Sequence, residues 1–165
     1  MKTKYIYLGL VFLTVIAAGL YFYNKYNVAP KIDISKIQVV DQDTMPFDIG
    51  SLKGKMVIVN FYASWCPNCL EELKEINSIK DAKLDDVTVL CVTDEDMQKM
   101  VDFKNKTQYP FTFVKLTRNF NAFGIFSIPT TYLLNTKGEV VYDEVGYIDW
   151  KDESTLEHLK SLMQN

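Results

Sequence analysis

Residues 56–63 read MVIVNFYA and, one serine later, give way to WCPNCLEELKEINSIK. An apolar run of about eight residues, rich in β-branched side chains, has the length and content of a strand buried on both faces. The charged stretch behind it has helical spacing from about residue 67 to 80, and Pro67 suits a first helical turn, where its missing N–H is not needed. Cys66 and Cys69 therefore sit on the joint between a buried strand and a helix start.

The rest of the chain supplies matching elements. VTVLCVT (Val87–Thr93) reads as a second buried strand. Asp94, Glu95 and Asp96 are expected to open the next helix, where acids favour the positive end of the dipole, and it runs to about Asn105. Phe111–Leu116 is a further strand and Asn119–Phe123 a short helix. Thr130–Leu134 and Glu139–Tyr142, joined by Asn135-Thr136-Lys137-Gly138, form a hairpin. Asp152 or Ser154 caps a final helix through Met163. Upstream, Ile37–Val40 and Phe47–Ile49 flank Asp41-Gln42-Asp43 as a short N-terminal β-hairpin. Alternating strands and helices closed by a hairpin predict an α/β fold with a mixed sheet flanked by helices. At roughly 100–200 residues per domain, 165 residues allow one such domain.

With 48% hydrophobic and 24% charged residues the chain is not a disordered tail, and a net charge of −3 excludes the basic excess of a nucleic-acid module. That average joins two unlike parts. Residues 1–25 contain Lys2, Lys4 and Lys25 and no acid, leaving 15 basic against 21 acidic groups in the remainder. Between Lys4 and Lys25, Tyr5 to Asn24 carry no charge. At about 1.5 Å per residue, twenty helical residues span roughly 30 Å, the thickness of a hydrocarbon core. Tyr5 and Tyr7 at one end, and Tyr21, Tyr23 and Tyr26 at the other, match interfacial aromatic belts. A cleaved signal peptide would use Ala17-Ala18-Gly19, but bulky apolar residues continue through Phe22. No cysteine precedes Cys66, so a lipid-modified cysteine is not expected. Residues 1–25 are thus expected to be an uncleaved anchor, 26–36 a tether and 37–165 the folded domain. Lys2, Lys4 and the terminal amine favour a cytoplasmic N-terminus against Lys25, Lys31 and Lys36. The acidic domain is expected on the extracytoplasmic side of the cytoplasmic membrane.

A C-x-x-C at a helix start has a specific use. Backbone N–H groups and the helix dipole lower the pKa of the first thiol from about 8.5, and the second lies one turn on, within reach to close or resolve a disulfide. Structural zinc would need four ligands, and the remaining candidates, Cys91 and His158, are single and unsupported. No metal is expected, and no cofactor. A purely structural disulfide across so short a loop would stabilise little. With Cys66 at zero and about 100° per residue, Cys69 falls at about 300°, Leu73 at about 340°, Ile76 at about 280° and Ile79 at about 220°, one apolar arc. Glu72 lands inside that arc at about 240°, whereas Glu71, Lys74 and Glu75 fall in the opposite half. Glu72 is either a partly desolvated proton carrier for the second thiol or a carboxylate reaching water at the edge of the face. Pro129 opens a strand and by frequency alone would follow a trans bond. Cys91 reads as a small buried residue, His158 as a solvated one, and Trp65 as shielding beside the thiols and packing.

LKGKMVIVNFYASWCPNCLEEL, followed by GIFSIPTTYLLNTKGEVVY, resembles the thioredoxin superfamily, within it the membrane-anchored TlpA/ResA-like thiol–disulfide oxidoreductases. The resemblance covers residues 37–165. It implies a thioredoxin-like sheet with an added central element, Cys66 as the attacking and Cys69 as the resolving cysteine, and Pro129 as a cis-proline. The Ile128 backbone would pair with an extended substrate, in a groove that includes Trp65 and Pro67. Glu72 matches an acid three positions after the second cysteine of that group. Asn60 departs from the buried aspartate of ordinary thioredoxins, and Pro67-Asn68 differs from the pairs of strong reductants and oxidants alike. Peroxiredoxins share the fold but place no C-x-x-C at this helix start. The implied task is reduction of disulfides in exported proteins, for example in cytochrome c maturation, fed by a membrane thiol donor. A thiol oxidase or isomerase, and a redox-inert binding module, are the alternatives.

Overall fold

The computed structural model describes residues 2–164, with side-chain surroundings from residue 5 onward. The terminal amine and the side chains of Lys2 and Lys4, used above for orientation, lie outside the described residues. One helix, α1 (Lys2–Asn27), takes up the uncharged run. Its segment Tyr5–Asn27 has a mean hydropathy of 2.0 and is long and apolar enough to cross a membrane.

The domain follows as β1 (Val39–Val40), β2 (Pro46–Phe47), β3 (Met56–Phe61), α2 (Pro67–Lys83), β4 (Val87–Thr93), α3 (Met97–Thr107), β5 (Thr112–Leu116), β6 (Thr130–Leu134), β7 (Val140–Val145) and α4 (Glu153–Met163). Among the described residues these seven strands form one sheet in the order β2-β1-β5-β4-β3-β6-β7. The β3–β4 and β4–β5 pairs are parallel and the other neighbours antiparallel. The chain thus has the expected mixed sheet. All six residues of β3 are buried, as a strand covered on both faces must be.

The two faces are covered differently. Ile58 and Tyr62 point into a core shared with Leu73 and Ile76 of α2, Met100 of α3, and Leu156 and Leu159 of α4. Val57, Val59 and Phe61 point the other way, into a core with no long helix over it: Ala29, Ile34, Ile37, Ile49 and Ile125 cover that side. Residues 28–36, expected as a tether, are therefore docked on the domain, and residues 26 and 27 belong to α1. Tyr132 of β6 donates its hydroxyl to the Pro30 carbonyl at 2.8 Å, and Asp33 caps a single 3₁₀ turn, Ile34–Lys36. The acids before α3 also differ from expectation. Asp96 occupies the N-cap without a side-chain cap bond, while Asp94 accepts the Phe120 N–H at 2.9 Å and Glu95 turns toward residue 64. Those loop N–H groups lack strand partners, so a carboxylate is worth more to them than to a solvated helix end.

Candidate active site

β3 ends at Phe61 and the chain turns through Ala63, whose carbonyl accepts the Cys66 N–H at 3.1 Å. Glu95, itself buried, accepts both the Ser64 N–H and the Ser64 hydroxyl. It thereby fixes the loop that presents Cys66. Cys66 is the N-cap of α2 with extended φ and ψ of −91° and 108°, and its Sγ accepts the Cys69 N–H at 3.3 Å. Pro67 occupies the first turn. Cys66 and Cys69 are joined in a disulfide with Cα atoms 5.3 Å apart. The helix start that accepts a proline without loss is also the one whose free N–H groups face the first sulfur.

The Ile128–Pro129 bond is cis. The Pro129 carbonyl accepts the Gly146 N–H at 2.8 Å, and Gly146 has φ of 110°, a conformation open to glycine but not to residues with a Cβ. The Ile128 carbonyl oxygen lies 3.8 Å from Cys66 Sγ. The structure thus brings Cys66, Cys69, Ile128 and Pro129 together at one end of the sheet. Trp65 flanks them but is 69% exposed; its expected packing role is not seen, because the Ser64–Cys66 turn points the indole outward.

Beneath the disulfide, register rather than sequence proximity assembles a polar row. Asn60 lies opposite Cys91 on β4 and Thr131 on β6, so the three side chains share the face under α2. Glu72, fully buried, projects onto that row. Its Oε1 accepts from Asn60 Nδ2 at 3.1 Å, Thr131 Oγ1 at 2.9 Å and Trp150 Nε1 at 3.2 Å. Oε2 and Asn60 Oδ1 have no hydrogen-bond partner among the described residues. Burial pushes the Glu72 carboxyl up to about 7, and the donors from Thr131 and Trp150 only partly offset it. Of the two openings left by helix spacing, the water-reaching edge is not the one observed. Burial, and then the neighbouring Glu72, push the Cys91 thiol well above its ordinary range.

Glu75 is the correction to the helical wheel: placed on the solvent half, it is 4% exposed. The loop before α4 folds over it. Trp150 N–H donates to Glu75 Oε2 at 3.3 Å, and Lys151 pairs with Oε1 at 2.9 Å. Burial works to raise this carboxyl, but Tyr147 and Lys151 hold it below its ordinary value. Sequence reasoning missed Trp150, Thr131 and Glu95 as parts of the site. Among the described residues no cluster of three or more His, Cys, Asp or Glu is arranged to hold a metal, and His158 is exposed on α4.

A family model described as Redoxin matches residues 27–160. The chain belongs to the Redoxin family. The thiol–disulfide oxidoreductase ResA of Bacillus subtilis is 26% identical over 153 residues, 86% of each protein. The sporulation thiol–disulfide oxidoreductase A of the same organism is 38% identical over 101 residues, 57% of this chain, and the match spans 61% of that protein's length. The crystal structure of StoA from Bacillus subtilis superposes with a TM-score of 0.59 at 27% identity, covering 81% of this chain and all of StoA. This Redoxin member is therefore ResA-like, within the thioredoxin superfamily, and its Cys66–Cys69 pair is that of a thiol–disulfide oxidoreductase.

Proposed function

We propose that this chain is a membrane-anchored reductase of disulfides in exported proteins, with its catalytic domain on the extracytoplasmic side, serving a reductive task such as cytochrome c maturation. One observation carries the reading: a fully buried carboxyl one helical turn beyond Cys69, held near neutrality and lacking a partner on one oxygen. A base with a pKa near the working pH is the group best suited to take a thiol proton and return it.

The reaction balances as follows. The Cys66 thiolate attacks one sulfur of the substrate disulfide, that bond breaks, and one substrate thiolate leaves. The mixed disulfide is held beside Pro129, with the Ile128 backbone pairing to the extended substrate and Trp65 and Pro67 forming the rim. Cys69 gives its proton to the Glu72 carboxylate and attacks Cys66 Sγ. The mixed disulfide breaks, and the second substrate sulfur leaves and takes up the proton. Substrate gains two electrons; its second sulfur takes the Cys69 proton through Glu72, the first leaving thiolate takes one from water to match the proton Cys66 released on ionising, and Cys66 and Cys69 become the disulfide. A membrane thiol donor then reduces the pair, since an oxidising compartment does not.

Equilibration of the pair in glutathione buffers tests the direction. A potential well below that of strong oxidants supports reduction, and a value of about −120 mV overturns it. In cells, Cys69→Ala traps mixed disulfides with substrates; no trapped species would mean the pair is inert.

A further inference from the structure

α1 does not stop at the membrane boundary and release the domain. Tyr21, Asn24 and Lys25 on one face of α1, with Val28 just past its end, line a groove of about 570 Å³ whose other wall is Pro30, Gly124 and Phe126. Lys25 Nζ lies 4.5 Å from the centroid of the Phe126 ring, and Tyr26 meets the same ring edge-on at 6.3 Å. Ser127 donates its hydroxyl to the Tyr26 carbonyl at 2.9 Å. Gly124, at φ of 77°, is where a Cβ would press to 3.3 Å from Pro30. These contacts fall on Phe126-Ser127, the two residues that precede Ile128-Pro129.

We propose that this joint holds the disulfide-bearing end of the domain against the lipid headgroup layer. The proposal rests on the anchored reading above. From the Tyr26 carbonyl through Ser127 and Ile128 to Cys66 Sγ, the covalent and contact path is at most about 15 Å. A domain of about 140 residues is roughly 37 Å across, so the disulfide lies in its membrane-proximal half. Headgroups occupy roughly 5–7 Å on each side of the hydrocarbon core. The two exposed aromatic rings beside the disulfide, Trp65 at 69% and Phe126 at 39%, have the amphipathic or apolar character that settles at that depth. The occupant of this face is the lipid surface that α1 enters, and the disulfides within reach are those presented close to it.

The full chain, reconstituted in phosphatidylcholine vesicles with a nitroxide on the headgroup, provides the test. Trp65 is exposed and Trp150 is fully buried, so collisional quenching reads Trp65. Docking requires strong headgroup quenching in the wild type. A flexible Gly-Ser insertion after Asn27 removes it while exchange with a soluble disulfide continues. Phe126→Ala shifts the docked-to-free ratio by about tenfold, from loss of the ring and cation contacts. Vesicles that float with the protein but leave Trp65 unquenched overturn docking alone. Quenching unchanged by the insertion overturns the joint. Failure to float overturns the anchor reading and docking with it.

Discussion

Replacing Glu72 with Gln removes one titration from the interior, and its size can be worked out. Burial moves this carboxyl from 4.5 to about 7, a gap worth about 3 kcal/mol at 1.36 kcal/mol per pKa unit. Below pH 4.5 the folded and unfolded chains both carry the proton, so the group makes no difference between them. Between 4.5 and about 7 the unfolded chain releases it while the folded chain keeps it, so wild-type stability falls as pH rises and levels off above the folded pKa. The glutamine variant has no such loss. Its amide can donate to Asn60 Oδ1, which has no partner among the described residues, but that contribution is independent of pH. The wild-type-minus-variant difference therefore isolates the proton on Glu72. At an unfolding entropy of about 2.1 cal/mol/K per residue over about 140 residues, 3 kcal/mol corresponds to roughly 10 °C in Tm. Melts of the full oxidised chain in detergent at pH 4 and pH 8.5 should show the variant gaining about that much on the wild type. An equal difference at both pH values would refute the reasoning, because it would mean that Oε2 reaches water and the carboxyl titrates normally.

Trp150→Phe keeps most of the ring but deletes a donor to the ionised Glu72, so the carboxyl rises further, by about one pKa unit; carbon-13 NMR titration of the glutamate side chain checks this. Lys151→Ala removes the partner that helps hold Glu75 low. Because Lys151 is 54% exposed, solvent screening keeps the stability loss at pH 7 small. That loss disappears as pH falls through the depressed Glu75 pKa, which a series of melts from neutral into the acid range would reveal. Cys91 is fully buried with a raised thiol pKa, so native protein should resist alkylation there by mass spectrometry. Cys91→Ala should destabilise by about 1 kcal/mol with disulfide exchange intact.

What could be read from the chain in advance was whatever depends on local periodicity. β4 occupies residues 87–93 and β3 begins at Met56, because short β-branched runs between charged flanks have one way to be buried. Cys66, Cys69 and Glu72 share a face through helix geometry alone. The differences at Glu75, residues 28–36 and the acids before α3 involve partners distant in sequence, whereas that at Trp65 is local. The wheel that puts Glu72 inside the apolar arc puts Glu75 on the solvent half, because the loop covering Glu75 arrives 75 residues later. Residues 28–36 looked like a tether because their apolar side chains, Ala29 and Ile34, are too sparse to make a periodic signal; they bury only because the helix-free face of the sheet needs covering. Asp94 and Glu95 looked like helix-start acids until loop N–H groups across the fold claimed them. The surroundings of Glu72 fall in the same class. Glu72 needs no partner to be inside the arc, but its buried state and raised pKa come from β3, β6 and the α4 approach closing over one carboxyl. A sequence pattern can therefore nominate the acid, while burial beneath the closing elements raises its carboxyl to about 7 and the donors from Thr131 and Trp150, placed by sheet register and by the α4 approach, keep it from rising further.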